Sequence, residues 1–312
     1  MAQSARSFGP AAAEEEFDLP EMGQWALVWR RFRRHKLAFV GLFTLLLFMV
    51  LSYGAPFIAP YPYEKLNLAD QYAFPSSKYL LGTDELGRDI FSRLLYAGRI
   101  SLTVAIVSTV LSGIVGIIVG AAAAYYRGIT EAVLMRLTDV MLSLPQLPLL
   151  LVFSKMLREY RALKDMFGDY LSMVVIVVVL TVFGWMYVAR LVYGAVLSLR
   201  ETEFTEAARA LGSSGPRLLL SHLIPNAMAP VIVVSTLGFG WRVVLEATLS
   251  WLGLGVTPPV PSWGNMLSQA YAYMLRNPWL AVYPGLFIFL TVLAINFLGD
   301  ALRDALDPRL KV

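Results

Sequence analysis

Residues 37–58, LAFVGLFTLLLFMVLSYGAPFI, run twenty-two positions without a charged side chain. A helix rises about 1.5 Å per residue, so roughly 20 apolar residues cross a hydrocarbon layer about 30 Å thick. This stretch is long enough to span a bilayer. Five more apolar runs follow, at 100–125, 133–156, 171–192, 227–249 and 279–298. Together they predict an all-α integral membrane protein with six transmembrane helices. Pro145 and Pro148 interrupt the third run. Neighbouring helices can satisfy the carbonyls a proline frees, so a kinked span is expected there. Gly113, Gly116, Gly120 and Ala121 to Ala124 on the second run allow close helix approach.

Composition agrees. Hydrophobic residues make up 57% of the 312 and charged residues 15%, with a mean hydropathy of +0.62. Soluble domains are closer to half apolar and a quarter charged. The formal charge of +4 does not point to nucleic acid, because the basic residues flank apolar runs and form no solvated patch. With no cysteine, disulfides, thiolate metal sites and a cysteine nucleophile are excluded. His35 and His222 have no metal-ligand spacing, and neither a Gly-x-x-x-x-Gly-Lys phosphate loop nor a Gly-x-Ser-x-Gly elbow occurs. No catalytic residue, metal or cofactor is expected, so an intramembrane enzyme is disfavoured.

Arg30, Arg31, Arg33, Arg34 and Lys36 precede the first run, which puts the N-terminus in the cytoplasm. Six crossings return the C-terminus to the same side. Residues 1–21 carry Glu14, Glu15, Glu16, Asp18 and Glu21 with no apolar stretch. They are expected to form a disordered inner tail and not a signal peptide. Between 23 and 35, Trp25, Val28, Trp29 and Phe32 share one helical face with arginines around the rest. The pattern suits a helix lying among membrane lipid headgroups. The expected organisation is a tail and interfacial helix at 1–36, a first span and external loop at 37–99, a core at 100–303, and a cytoplasmic tail at 304–312. Outside, 262–275 reads as an amphipathic helix with Trp263, Met266, Leu267, Ala270, Tyr271 and Met274 on its apolar side.

The longest inner loop, 198–225, does not look like a flexible linker. Residues 200–211 (RETEFTEAARAL) combine strong helix formers with early acidic residues, which suit a helix N-terminus. Gly212 is a fitting stop, and Ser213-Ser214-Gly215-Pro216 supplies a turn with proline at a first helical position. A second short helix is expected from Arg217 to Ile224, with Pro225 opening the next span. Two short helices about a glycine turn make a knob suited to gripping by a soluble partner.

Glu206-Ala207-Ala208, then Gly212, then the apolar approach to Pro225, resembles the EAA loop of ABC importer permeases, with His222 and Ile224 where that family has isoleucine and leucine. Other segments resemble the peptide branch of the family. They are 81–102 (LGTDELGRDIFSRLLYAGRISL), 135–145 (MRLTDVMLSLP), 246–255 (EATLSWLGLG), 261–267 (PSWGNML) and 284–310 (PGLFIFLTVLAINFLGDALRDALDPRL). The chain is therefore similar to the C-type permease of dipeptide and oligopeptide importers. That resemblance implies a type I importer bundle in the cell membrane and a homologous B-type permease alongside it. It also implies two ATP-binding subunits and an extracytoplasmic substrate-binding protein. Glu203, Glu206, Ala207, Ala208 and Gly212 would couple to the ATPase. The alternative is a self-contained secondary transporter or channel, which usually shows internal repeats; none is evident here.

Two features depart from the family pattern: a charged external stretch at 155–169, and Arg242 at a usually apolar position. Arg242 and Glu246 lie one turn apart within the fifth span. A mid-membrane charge costs on the order of 3 kcal/mol on the most lenient scale, so neither should face lipid. They either pair with each other or line the solute path. Asp139 is expected to pair locally with Arg136.

Overall fold

The computed structural model describes residues 24–306. The acidic tail and the last part of the C-terminal tail lie outside the described residues. Fourteen α-helices are described: α1 Gln24–Phe32, α2 Lys36–Tyr53, α3 Ala55–Ile58, α4 Ile90–Tyr126, α5 Gly128–Ser143, α6 Gln146–Glu159, α7 Arg161–Phe167, α8 Leu171–Val182, α9 Met186–Arg200, α10 Glu203–Ala210, α11 Gly215–Leu218, α12 Ile224–Trp251, α13 Trp263–Tyr271 and α14 Trp279–Leu306.

Five segments are each long and apolar enough to cross a membrane: α2, α4, the run from α7 to α9, the run from α11 to α12, and α14. The sixth expected span is more than kinked. Helices α5 and α6 meet at 95° across Leu144 and Pro145. The bend lies at a proline, which cannot donate to the preceding turn and disfavours helical backbone before it.

Helix α4 is the central post, packed by α9, α12, α8, α2 and α13. It begins ten residues earlier than its apolar run suggested. Asp89 accepts from the Ser92 backbone N–H at 2.8 Å and caps the helix N-terminus. Its small residues do what the sequence suggested. A Cβ added at Gly116 would stand 2.6 Å from Val188 Cβ and 2.8 Å from the Trp185 carbonyl, and one at Gly120 would overlap the Ala189 carbonyl. The α4 and α9 backbones therefore touch. Gly120→Leu is expected to abolish recovery of folded protein, because the obstacle is backbone and cannot rotate away. Gly285→Ala, at an open position, should leave detergent melting unchanged. A Gly120→Leu protein melting with the parent would refute this contact.

At its two ends, roughly 55 Å apart by helix rise, α4 carries different structures. The N-terminal end receives the 60–89 segment and α13. Ser262 and Asn265 form a reciprocal cap for α13. Trp263, Met266 and Ala270 are buried as expected, whereas Tyr271 and Met274 are exposed. The Trp263 indole N–H donates to Leu94 O at 3.1 Å, fastening α13 to α4. In the 60–89 segment, the Lys78 ammonium and the Tyr79 hydroxyl hold the Asp70 carboxyl below its ordinary range. That contribution is present above the unfolded pKa and is lost as pH falls.

Helix α1 packs on α14 through Val28 and Phe32, so part of its apolar face covers protein. Trp29 remains exposed, stacked on Phe32 at 6.0 Å. The side chain of Trp25 lies outside the described residues.

Candidate functional site

The 198–225 loop folds as an exposed knob. Helix α10 starts at extended Thr202, and the buried Thr205 hydroxyl donates to Leu199 O at 2.8 Å, tying α10 to the end of α9. Arg200 Nη1 donates to the carbonyls of Ala124 and Tyr125 at 3.2 and 3.0 Å. It thereby caps the last turn of α4, where cations are favoured. The other end of α10 closes as a Schellman motif. Gly212 has φ +85°, its N–H reaches Arg209 O at 2.9 Å, and Ser213 N–H reaches Ala208 O at 3.0 Å. Glu203, Glu206, Ala207 and Gly212 are exposed, while Ala208 is half-buried against the knob's apolar underside.

The exit from the knob differs from expectation. Pro225 does stand in the first turn of α12, but no gap precedes it, because α11 continues through a π turn at Leu219–Leu223 into α12. Proline needs no N–H acceptor in the first turn of α12, and the π turn absorbs the register change. Helix α11 of the knob is therefore continuous with α12.

Seventeen residues beyond Pro225 on α12, the pairing alternative for Arg242 and Glu246 is not realised; among the described residues no ion pair joins them. Glu246 is fully buried and accepts from Ser101 Oγ at 2.8 Å and Ser250 Oγ at 2.7 Å. Ser101 Oγ also accepts from Trp263 N at 3.2 Å. Glu246 thus joins α4, α12 and α13. Spacing along one helix could not reveal this, since Ser101 lies 145 residues away.

Arg242 goes the other way. Its Nη2 donates to Gly184 O at 3.2 Å. Gly184 lies between α8 and α9, a discontinuity that the unbroken apolar run concealed. Side chains reach other carbonyls at this break as well. Gln146 Nε2 donates to Phe183 O at 3.3 Å, and Ser112 Oγ lies 3.4 Å from Leu180 O and Thr181 O. Gln146 is the first residue after the bend between α5 and α6. The two helix breaks thus face each other across a cavity of about 290 Å³, walled also by Thr109, Met141, Phe183, Ser235 and Trp241. Nearby, Asp139 pairs with Arg190 on α9 and not with Arg136. In the charged 155–169 stretch, Arg158 Nη2 donates to Leu254 O at 2.7 Å and also to Gly255 O, pinning α6 to the exit of α12.

An apolar bundle with a rigid surface knob continuous with a cavity-lining helix has clear relatives. Residues 112–312 match the family described as binding-protein-dependent transport system inner membrane component. The chain belongs to that family. Residues 23–75 match the N-terminal transmembrane domain of oligopeptide transport permease C. The oligopeptide transport system permease protein OppC of Bacillus subtilis is 35% identical over 308 residues, covering 97% of each chain. The glutathione transport system permease protein GsiD of Pectobacterium atrosepticum is 39% identical, covering 92% of each. The dipeptide transport system permease protein DppC of Alkalihalophilus pseudofirmus is 35% identical over 97% of this chain and 95% of its own. Among solved structures, a chain of the inward-facing MetNI methionine ABC transporter superposes with TM-score 0.55 at 20% identity. It covers 69% of this chain and 96% of that one, and supports the fold. The protein is a multi-pass permease component of the inner membrane.

Proposed function

We propose that this chain is the C-type permease subunit of an ATP-driven importer of short peptides. In this reading it pairs with a homologous B-type permease to enclose the path, with both of its termini in the cytoplasm. Two ATP-binding subunits dock on the inner face, one of them on α10, and an extracytoplasmic binding protein delivers the solute. Relatives named for dipeptides, oligopeptides and glutathione support the substrate class. The observation that carries the coupling role is the unbroken helical path from Gly215 to Trp251. Closure of the ATPase pair on Glu203, Glu206 and Ala207 would move α10, and α11–α12 would carry that motion to the cavity.

The two helix breaks facing one cavity also occur in self-contained secondary transporters, and one experiment separates the readings. Vesicles holding the purified chain alone should accumulate no trialanine. Vesicles with both permeases, both ATPases, ATP and the binding protein should accumulate it. Uptake by the chain alone under an ion gradient would overturn the importer reading.

A further inference from the structure

We propose that the cavity between the two helix breaks is a carboxylate-binding subsite of the translocation path, anchored by the Arg242 guanidinium. The inference rests on the importer reading above and goes beyond it by naming a contact for the solute.

Three observations converge. First, Arg242 is 8% exposed and borders the cavity, yet among the described residues no carboxylate pairs with it. Its hydrogen bond to Gly184 O engages one donor of the five a guanidinium presents. The nearest acidic side chain along the helix, Glu246, is committed to Ser101 and Ser250. Burying a cation without a counter-charge is strongly unfavourable, and intramembrane arginines of this kind mark solute or ion paths.

Second, the guanidinium lies between two glycines that also line the cavity. A Cβ added at Gly184 would stand 2.8 Å from Nη2, and one at Gly238 would stand 2.8 Å from Nη1. A side chain at either position would crowd the guanidinium, which would have to shift to make room. Third, the volume and walls suit part of a peptide. About 290 Å³ is at the small end of ligand cavities, enough for a terminal residue but not an extended chain. Met141, Leu144, Phe183 and Leu245 offer apolar contact, and Gln146 and Ser235 add polar edges. A planar carboxylate satisfies a guanidinium fork better than any neutral group. Arriving solute would take up donors that Gly184 O leaves open.

The competing account makes Arg242 only a cap for the carbonyl at the α8–α9 break. The absence of cysteine allows the two to be distinguished. Ser235→Cys places this chain's one thiol on the cavity wall, and its labelling by a small neutral thiol reagent is timed on this subunit within the complete reconstituted complex. Trialanine should slow labelling at least about fivefold, and its C-terminal amide should not. In an Arg242→Gln background the protection should vanish and trialanine uptake should fall about tenfold, with ATP hydrolysis within twofold of the parent. Arg242→Lys, which keeps the charge, should retain protection.

Equal protection by acid and amide, or none by either in the parent, overturns the subsite. So does parallel loss of protection and ATP hydrolysis in both the Gln and Lys variants, the outcome a mere cap predicts. If Arg242→Gln does not assemble, Gly238→Leu, whose side chain would occupy the guanidinium's place, displaces the cation while keeping it, and unchanged protection there refutes the proposal. Failure of the importer reading has a different signature: no ATP-dependent uptake of trialanine by the parent complex, whatever the labelling shows.

Discussion

Replacing Gly212 by valine is expected to abolish ATP-driven uptake while leaving the amount of membrane-inserted, assembled protein unchanged. Gly212 holds φ +85°, a region where an L-residue pays about 1–2 kcal/mol and a β-branched one more. Among the described residues nothing stands within 4 Å of an added Cβ, so no clash with them contributes. The cost falls on the Schellman closure, whose two N–H bonds to Arg209 O and Ala208 O define the end of α10. Losing it frays the surface proposed to sit in the ATPase, while Thr205 and Arg200 still anchor the base of the knob. Gly212→Asn separates backbone from contact. Asparagine tolerates this conformation, so near-parental uptake in Asn with loss in Val identifies backbone strain. Loss in both identifies collision with a docked partner. Parental uptake by the valine variant would remove α10 from the coupling path.

How legible these parts were in the sequence depended on the range of the forces involved. The spans were readable because membrane insertion needs only a local run of apolar side chains. The Gly212 stop was readable because helix termination is settled within one turn. Expectation failed where partners came from far along the chain. Arg242 and Glu246 sit at a pairing distance on one helix, yet each is claimed from elsewhere, Glu246 by Ser101 on α4 and Arg242 by the carbonyl of Gly184. The break at 183–185 left only a glycine inside an apolar run as its signal. The continuity of α11 with α12 was hidden by Pro225, which usually marks a boundary but here falls in a first turn where no N–H is required. Charged residues at 155–169 looked like a solvated loop, although Arg158 turns inward to the carbonyls of Leu254 and Gly255.

Removing the Asp84 carboxylate should have the largest effect on stability at the opposite end of α4. Asp84 is 3% exposed. Its Oδ1 accepts from the backbone N–H of Leu86 and Arg88, both at 2.9 Å. Its Oδ2 accepts from Arg88 Nε at 2.7 Å and also from Arg93 Nη1. The two arginines then converge on Gln269 Oε1 of α13, at 3.3 and 3.1 Å. One carboxylate therefore holds the turn before α4, the first turns of α4 and α13 together. In Asp84→Ala, Arg88 keeps Glu85 at 2.9 Å, but the buried Arg93 is left with only the neutral Gln269 oxygen. Stranding a buried charge in this way costs about 3–5 kcal/mol.

The expected result is a sharply lowered melting temperature in detergent and new protease cleavage within residues 60–89. Glu85→Gln should lose far less, because Arg88 retains Asp84. The decisive comparison is Asp84→Leu with Arg93→Met. Taking out both charges removes the desolvation problem, so the double variant should recover most of the stability that Asp84→Ala loses. If the double variant is as unstable as Asp84→Ala, the backbone bonds to Leu86 and Arg88 matter more than the ion pair. If Asp84→Ala melts with the parent, the network is not what holds the 60–89 segment on α4.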